Sequence, residues 1–174
     1  MESSNPDLSK IELLILDVDG TLTDGGIYYD EHGVETKKFN AKDGLGIAIV
    51  QKAGVEVMLL TGRTSKIVER RGLELKIKYI VQGEKDKAGF LQQFWQEKRI
   101  ISENTAFVGD DLNDLDAMKL IPHTACPADA ADEIKQISEI VLKRNGGFGA
   151  VREYIDLILK SKGATFKSSQ TNIQ

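Results

Sequence analysis

The chain contains few cysteine, proline or aromatic residues. Its 174 residues include one cysteine, three prolines and one tryptophan. The single cysteine, Cys126, excludes an intramolecular disulfide and fits a reducing compartment. No apolar run approaches the roughly 20 residues of a membrane-spanning helix. Met1 leads into ESSNPDLSK, which lacks the basic and apolar regions of a secretory signal. We therefore expect a cytoplasmic protein with no membrane partner.

An excess of positive charge is also absent. The formal net charge is -4, because 27 acidic residues outnumber 23 basic ones. Nucleic-acid-binding domains usually carry a basic surface, so we expect no nucleic-acid partner. A chain of 174 residues with 41% hydrophobic content suits one globular domain with a full core.

Strand-like apolar runs alternate with helix-like segments along the chain, which predicts an α/β fold with a doubly wound parallel sheet. The hairpin pattern of residues 26–40 interrupts this alternation. Residues 1–160 form the predicted core, and residues 161–174 form a polar tail that we expect to be mobile. The predicted strands are 12–18, 55–61, 78–81, 105–110, 123–128 and 139–142, and the predicted helices are 43–54, 65–75, 86–98, 112–120, 130–137 and 149–160.

Acidic side chains follow the first predicted strand, in the stretch LLILDVDGTLTD. Gly20 allows a tight bend there, so that Asp17 and Asp19 can both point into one cleft. Thr61 and Asp110 end two further strands, and the carboxyl ends of parallel strands meet at one edge of the sheet. Clustered carboxylates at that edge favour a hard divalent cation such as Mg²⁺, which prefers oxygen ligands.

Each acidic motif also has an ordinary structural interpretation. A lone DVDG most often forms a turn, and Asp111 could simply cap the helix that follows it. An EF-hand is excluded, because the sixth position counted from Asp17 is Leu22 rather than glycine and the twelfth is Tyr28 rather than glutamate. Neither a Walker loop nor a complete G-x-G-x-x-G occurs in the sequence. The case for a catalytic site therefore depends on the combination of motifs.

That combination resembles the haloacid dehalogenase-like hydrolase superfamily, whose members are mostly Mg²⁺-dependent phosphatases. The resemblance covers residues 11–160 and implies a Rossmann-like α/β core. Lys85 is a rival for the motif lysine, and Lys87 is preferred for its place in QGEKDKA. The four motifs match, in order, as DVDGT at 17–21, TGR at 61–63, Lys87 in GEKDKA, and GDDLND at 109–114.

The resemblance implies a role for each motif residue. Asp17 would attack phosphorus and form an aspartyl phosphate, while Asp19 would protonate the leaving alkoxide and then activate water. Thr61 would hydrogen-bond a phosphate oxygen, and Lys87, together with Mg²⁺, would supply positive charge near the anionic phosphate. The implied Mg²⁺ ligands are Asp17, the backbone carbonyl of Asp19, and Asp110, with Asp111 and Asp114 supporting the site from outside these ligands.

A narrower resemblance points to a branch of the superfamily that lacks a cap domain, since only the hairpin at 26–40 stands where a cap would be inserted. Members of this branch are tetramers in which neighbouring subunits complete each active site. They include phosphatases of eight-carbon and nine-carbon keto-deoxy sugar acid phosphates. The glycines of the C-terminal segment are expected to be flexible and to let it fold over the site. The matching segments are 23–47, 61–71, 109–114 and 146–159.

A substrate with both a phosphate and a carboxylate requires additional cations, and the candidates are Arg63, Lys42, Arg70 and Arg152. Arg63 favours the eight-carbon acid, because the nine-carbon relatives tend to carry glutamate after TG. Lys42 departs from the arginine common in the branch and lacks its bidentate fork. We therefore expect hydrolysis of 3-deoxy-D-manno-octulosonate 8-phosphate. The alternatives are a nine-carbon sugar acid phosphate, another small phosphometabolite, or a non-catalytic oligomeric binding module. The presence of Asp17, Asp19 and Lys87 favours an enzyme.

Overall fold

The computed structural model describes residues 7–164, which form a six-stranded parallel sheet with helices on both faces and a separate two-stranded hairpin. Two 3₁₀ turns, Ser102–Asn104 and Leu112–Asp114, complete the regular structure of this part of the chain. The strands are β1 Leu13–Leu16, β2 Tyr28–Tyr29, β3 Glu35–Thr36, β4 Glu56–Thr61, β5 Tyr79–Gln82, β6 Thr105–Val108, β7 His123–Cys126 and β8 Ile140–Val141. The helices are α1 Ala41–Lys52, α2 Lys66–Glu74, α3 Lys87–Lys98, α4 Leu115–Met118, α5 Asp132–Ile137 and α6 Ala150–Ser161.

The strand order of the large sheet is β5-β4-β1-β6-β7-β8, and every pairing is parallel. The chain builds outwards from β1 to β4 and β5, then returns to the other side of β1 and continues through β6, β7 and β8. This reversal makes β1 and β6 neighbours at a topological switch point, where open α/β sheets bind ligands. The predicted doubly wound parallel sheet is confirmed.

The central strand β1 is a continuous apolar run, LLIL, because it is buried on both faces of the sheet. Alternation along β1 sends Leu14 and Leu16 into a core that includes residues of α1, α2 and α6. It sends Leu13 and Ile15 into a second core with residues of α3, α4 and α5. These cores fix the sheet, and thereby the loops at its carboxyl edge. Within residues 7–164, no helix has the length and apolar character that crossing a membrane requires.

The hairpin predicted at 26–40 is present as β2 and β3, which pair antiparallel through Tyr28 with Thr36 and Tyr29 with Glu35. An isolated bridge between Thr23 and Phe39 closes its base. We call residues 26–40 the flap. In the described part of the chain the flap is the only insertion between β1 and α1, and no cap domain is present.

Most predicted elements lie within two residues of their observed boundaries, and the helix predicted at 112–120 differs most. It consists of a 3₁₀ turn followed by the four-residue α4. The turn is tightened because the Asp111 carboxylate accepts the Leu112 N–H at 2.8 Å, and the Asp114 N–H donates to the Asp111 carbonyl at 2.8 Å. Helix α6 includes Ser161, and the rest of the predicted tail beyond residue 164 lies outside the described residues.

Helix α6 takes its N-terminal cap from another helix. Its own N-cap position is Gly149, which has no side chain to accept a hydrogen bond. The buried carboxylate of Asp43, in the first turn of α1, accepts the Arg152 N–H at 2.7 Å. Burial raises the pKa of Asp43, although the bond from Arg152 opposes the shift. Asp43 therefore joins α1 and α6, which pack on the same face of the sheet.

We predict that Asp43→Ala lowers the free energy of unfolding by about 1–2 kcal/mol, because it leaves the Arg152 N–H at the start of α6 without an acceptor. Asp43→Asn should recover much of this loss, because its amide oxygen can accept the same bond. Urea unfolding of both variants followed by circular dichroism measures the difference. An alanine variant as stable as the wild type would contradict the proposed cap.

Candidate active site

Lys87 lies between two carboxylates at the carboxyl edge of the sheet. It is the first residue of α3, and the Asp86 carboxylate caps that helix by accepting the Gly89 N–H at 2.9 Å. The Lys87 side chain is only 2% exposed, and its Nζ donates to Asp17 Oδ1 and Asp114 Oδ1, both at 2.6 Å. The rival lysine of the sequence motif, Lys85, is exposed.

Asp110 completes the cluster from the end of β6. Its Oδ1 accepts a hydrogen bond from the Thr21 hydroxyl at 3.0 Å, and its backbone N–H donates to Asp114 Oδ2 at 3.1 Å. One carboxylate oxygen each from Asp17, Asp110 and Asp114 lies within 4.8 Å of the others. Two segments that are far apart in sequence, one with Asp17 and one with Asp110 and Asp114, thus meet at the switch point between β1 and β6.

Gly20 makes this approach possible. Its φ of 95° lies in the left-handed region that favours glycine, and a Cβ at this position would stand 2.0 Å from Asp110 Oδ2. Any side chain here would therefore occupy the place of the Asp110 carboxylate. The glycine of DVDGT serves the site by leaving that space open as well as by allowing the turn.

The electrostatics of the cluster show a deficit of positive charge. Burial raises the pKa of Asp17, and the charge of Asp114 raises it further against the opposing effect of Lys87. Burial and the charge of Asp114 likewise raise the pKa of Asp110, to about 7. Burial alone would lower the pKa of Lys87, but the charges of Asp17 and Asp114 outweigh it and raise that pKa. Lys87 is therefore charged at neutral pH, and it offsets only one of three carboxylates.

A divalent cation fits this donor set. When all three converging carboxylates are ionised, one ammonium group leaves two negative charges to be balanced, and Mg²⁺ prefers hard oxygen ligands of this kind. Asp17 and Asp110, predicted as metal ligands, both lie in this cluster, and their ligand role stays a prediction. Asp114, predicted to support the metal from outside its ligands, lies in the same carboxylate cluster. A ligand role for the backbone carbonyl of Asp19 stays a prediction.

The Asp19 carboxylate faces the flap. Its Oδ1 accepts a hydrogen bond from Lys37 Nζ, and its Oδ2 is buried without a hydrogen-bond partner in the described structure. Lys37 was not among the predicted site residues. The hairpin predicted at 26–40 could have pointed to it, because strand alternation puts Glu35, Lys37 and Phe39 on one side, and these three are partly buried while the residues between them are exposed.

Thr61 and Arg63 lie together at the end of β4. Thr61 is buried at 2% exposure, and its hydroxyl accepts the Arg63 N–H at 3.4 Å. The Arg63 guanidinium is 40% exposed and donates through Nη2 to Glu35 Oε1 at 2.6 Å. The arginine proposed to select the substrate is thus in contact with the flap.

The other predicted substrate-binding residues lie apart from the carboxylates. Lys42 is exposed in the first turn of α1, Arg70 pairs with Glu74 along α2 at 3.1 Å, and Arg152 pairs with Asp156 along α6 at 2.8 Å. In residues 7–164, none of these three side chains forms an ion pair with Asp17, Asp19 or Asp110. Asp111 is exposed and caps the following 3₁₀ turn.

The prediction that the C-terminal glycines give flexibility is wrong for Gly146 and Gly147, which are buried. A Cβ on Gly146 would lie 1.7 Å from the Gly20 carbonyl oxygen, and one on Gly147 would lie 2.4 Å from the Asp24 nitrogen. The Gly147 N–H also donates to the Thr21 carbonyl at 3.1 Å. These glycines are required because two backbones pack directly against each other, and they brace the loop that carries the catalytic motif.

Comparisons with known proteins agree with this geometry. A family profile described as haloacid dehalogenase-like hydrolase matches residues 74–155. The 3-deoxy-D-manno-octulosonate 8-phosphate phosphatase KdsC of Escherichia coli strain K12 is 41% identical over 154 residues, covering 88% of this chain and 82% of the relative. The Haemophilus influenzae KdsC is 38% identical, over 90% of this chain and 87% of the relative. The chain belongs to the KdsC family of haloacid dehalogenase-like hydrolases.

Solved structures of the KdsC family share the fold. The enzyme from Moraxella catarrhalis, in complex with magnesium ion, phosphate ion and KDO, superposes with a TM-score of 0.87 at 37% identity, covering 90% of both chains. The cobalt-bound form of the Haemophilus influenzae enzyme superposes with a TM-score of 0.86 at 38% identity, covering 91% of this chain and 92% of that one.

We predict that Gly20→Ala weakens Mg²⁺ binding by at least about 10–100-fold, because the new Cβ would displace the Asp110 carboxylate. Gly25→Ala is the matched control. Gly25 also has a positive φ, 72°, but its Cβ would meet its nearest neighbour at an ordinary 3.5 Å. Isothermal titration calorimetry with Mg²⁺ compares the two. Equal Mg²⁺ affinities in both variants would contradict the role assigned to the Gly20–Asp110 contact.

Proposed function

We propose that this protein is a Mg²⁺-dependent phosphatase that hydrolyses 3-deoxy-D-manno-octulosonate 8-phosphate to the free sugar acid and phosphate. The observation that carries the proposal is the convergence of Asp17, Lys87, Asp110 and Asp114 at the switch point of the sheet. Identity of 38–41% to KdsC enzymes over most of the chain supports the substrate. The magnesium, phosphate and KDO in the Moraxella catarrhalis structure support the cofactor and the reaction.

The proposed reaction has two steps. The Asp17 carboxylate attacks phosphorus, the bond between phosphorus and the sugar oxygen breaks, and the sugar oxygen takes a proton from the Asp19 carboxyl group. The Asp19 carboxylate then takes a proton from water, whose oxygen attacks phosphorus and releases phosphate and Asp17. Lys87 holds Asp17 in place and offsets part of the negative charge of the site. Mg²⁺ held by Asp17 and Asp110 would balance the charge of the phosphate in both steps.

Arg63 is proposed to select the eight-carbon acid. Its guanidinium is 40% exposed beside the flap, where it can meet a carboxylate with bidentate geometry. Thr61 is proposed to donate its hydroxyl hydrogen to a phosphate oxygen, since it lies buried at the same strand end. A nine-carbon sugar acid phosphate is the second candidate substrate, and the absence of a cap domain in residues 7–164 leaves room for either.

We also propose a homotetramer in a cytoplasmic location. The flap exposes Ile27, Tyr28, Tyr29 and Val34, with Ile27 at 59% and Tyr29 at 62%, and clustered exposed apolar side chains mark protein interfaces. Lys42, Arg70 and Arg152 are proposed to contact substrate in that assembly. The single cysteine supports the location, because it fits a reducing compartment.

Phosphate release from a panel of sugar acid phosphates, with Mg²⁺ and with EDTA, tests the activity. We expect preference for the octulosonate 8-phosphate, loss of turnover in EDTA, and a fall on the order of 10⁴-fold or more in Asp17→Asn. Preference for a nine-carbon acid would leave the mechanism intact but refute the proposal that Arg63 selects the eight-carbon acid. Wild-type turnover in Asp17→Asn would refute the mechanism.

Light scattering tests the assembly. We expect the wild type to be a tetramer and the double variant Ile27→Lys, Tyr29→Lys to dissociate, because charges would replace apolar contacts at the proposed interface. A wild type that is strictly monomeric and fully active would contradict the proposal that subunits of a tetramer complete each other's active sites.

A further inference from the structure

The flap presents two adjacent lysines on opposite sides. The Lys37 side chain points inwards, is 2% exposed, and reaches Asp19. The Lys38 side chain is 53% exposed, pairs with Asp24 at 3.4 Å and lies 4.0 Å from the centre of the Phe148 ring. The two residues are adjacent in the flap and carry the same charge, but only Lys37 contacts a predicted catalytic group.

Lys37 fixes one oxygen of Asp19 and leaves the other free. Asp19 Oδ1 accepts from Lys37 Nζ, while Oδ2 is buried and has no hydrogen-bond partner in residues 7–164. A buried carboxylate oxygen without a partner is uncommon in folded proteins. A group that exchanges protons with substrate and water needs an oxygen that no other protein group binds, and Lys37 leaves Oδ2 in that state by binding Oδ1.

Lys37 is itself held by a chain of ion pairs. Its Nζ lies 3.5 Å from Glu35 Oε1, and the same oxygen accepts from Arg63 Nη2 at 2.6 Å. The chain runs from Arg63 through Glu35 and Lys37 to Asp19. It connects the residue proposed to bind the substrate's carboxylate with the residue proposed to transfer protons, and both middle members belong to the flap.

We propose that Lys37 is a positioning residue that orients Asp19 for proton transfer, and that Glu35 couples this orientation to Arg63. The inference rests on the proposed phosphatase activity and extends it. The flap thereby takes part in the reaction, because Asp19 is aligned only while Lys37 is seated against it.

Substrates with different leaving groups distinguish the positioning role of Lys37 from a general effect on the fold. A sugar alkoxide must take a proton from Asp19 as its bond to phosphorus breaks, whereas p-nitrophenolate leaves without one. Misplacing Asp19 should therefore slow transfer of the phosphoryl group from the sugar phosphate to Asp17 and spare its transfer from p-nitrophenyl phosphate. Later hydrolysis of the aspartyl phosphate, which needs Asp19 as a base, should be slowed for both substrates.

Rapid-mixing kinetics of Lys37→Met and Lys38→Met provide the test. For Lys37→Met we expect a fall of about 10–100-fold in the single-turnover rate with the octulosonate 8-phosphate, since misplacement of a catalytic group by about 1 Å can cost about 100-fold. We expect a p-nitrophenolate burst at the wild-type rate followed by slowed turnover. Lys37→Arg should restore part of the loss, and Lys38→Met should match the wild type with both substrates.

Glu35→Gln is a second variant that keeps the size of the side chain. It should lower the rate with the sugar phosphate and raise the KM for that substrate, because the negative charge that pairs with both Arg63 and Lys37 is lost, while the p-nitrophenolate burst persists. If Lys37→Met slowed the burst as much as the sugar reaction, or behaved as Lys38→Met does, the positioning role would be overturned. A wild type inactive on both substrates would overturn the proposed function, and this inference with it.

Discussion

The structure of the site depends on the buried ammonium group of Lys87, held between Asp17 and Asp114. Burying charges costs several kcal/mol for each ion, and removing one partner of such a group typically costs about 3–5 kcal/mol. The fold meets this cost by placing the three side chains on separate elements fixed by two apolar cores. Lys87 begins α3, Asp17 follows β1, and Asp114 ends a 3₁₀ turn after β6. The remaining negative charge gives the site its affinity for a cation.

Close packing around the backbone of Gly20 supports this arrangement. The Asp110 carboxylate occupies the space that a side chain on Gly20 would fill, and Gly146 packs against the carbonyl of the same residue. The loop that carries Asp17 and Asp19 is therefore held between β6 and the segment before α6. Helix α6 is in turn capped by Asp43 of α1, the helix that follows the flap. The C-terminal segment and the flap are thus both linked to the loop that carries Asp17 and Asp19.

The sequence predicted the sheet, and with it the convergence of Asp17 and Asp110 at one edge, because both follow from local patterns. Apolar runs of strand length define the sheet, and the topology of parallel strands brings their ends together whatever the loops do. Contacts between distant side chains followed no such pattern. Asp43 meets Arg152 across 109 positions, and Glu35 meets Arg63 across 28. The flexibility predicted for Gly146 and Gly147 was wrong, because composition alone cannot distinguish a mobile glycine from one that a neighbouring backbone requires.

The central claim is that Asp17 forms a covalent bond to phosphorus in this pocket. The most direct measurement mixes the Asp19→Asn variant with Mg²⁺ and p-nitrophenyl phosphate, quenches the mixture in acid, and locates phosphate among the peptides by mass spectrometry. Because the leaving group needs no proton and the second step lacks its base, the aspartyl phosphate should accumulate. The account predicts phosphate on Asp17. Release of p-nitrophenolate with no phosphorylated peptide, or with phosphate on another residue, would contradict it.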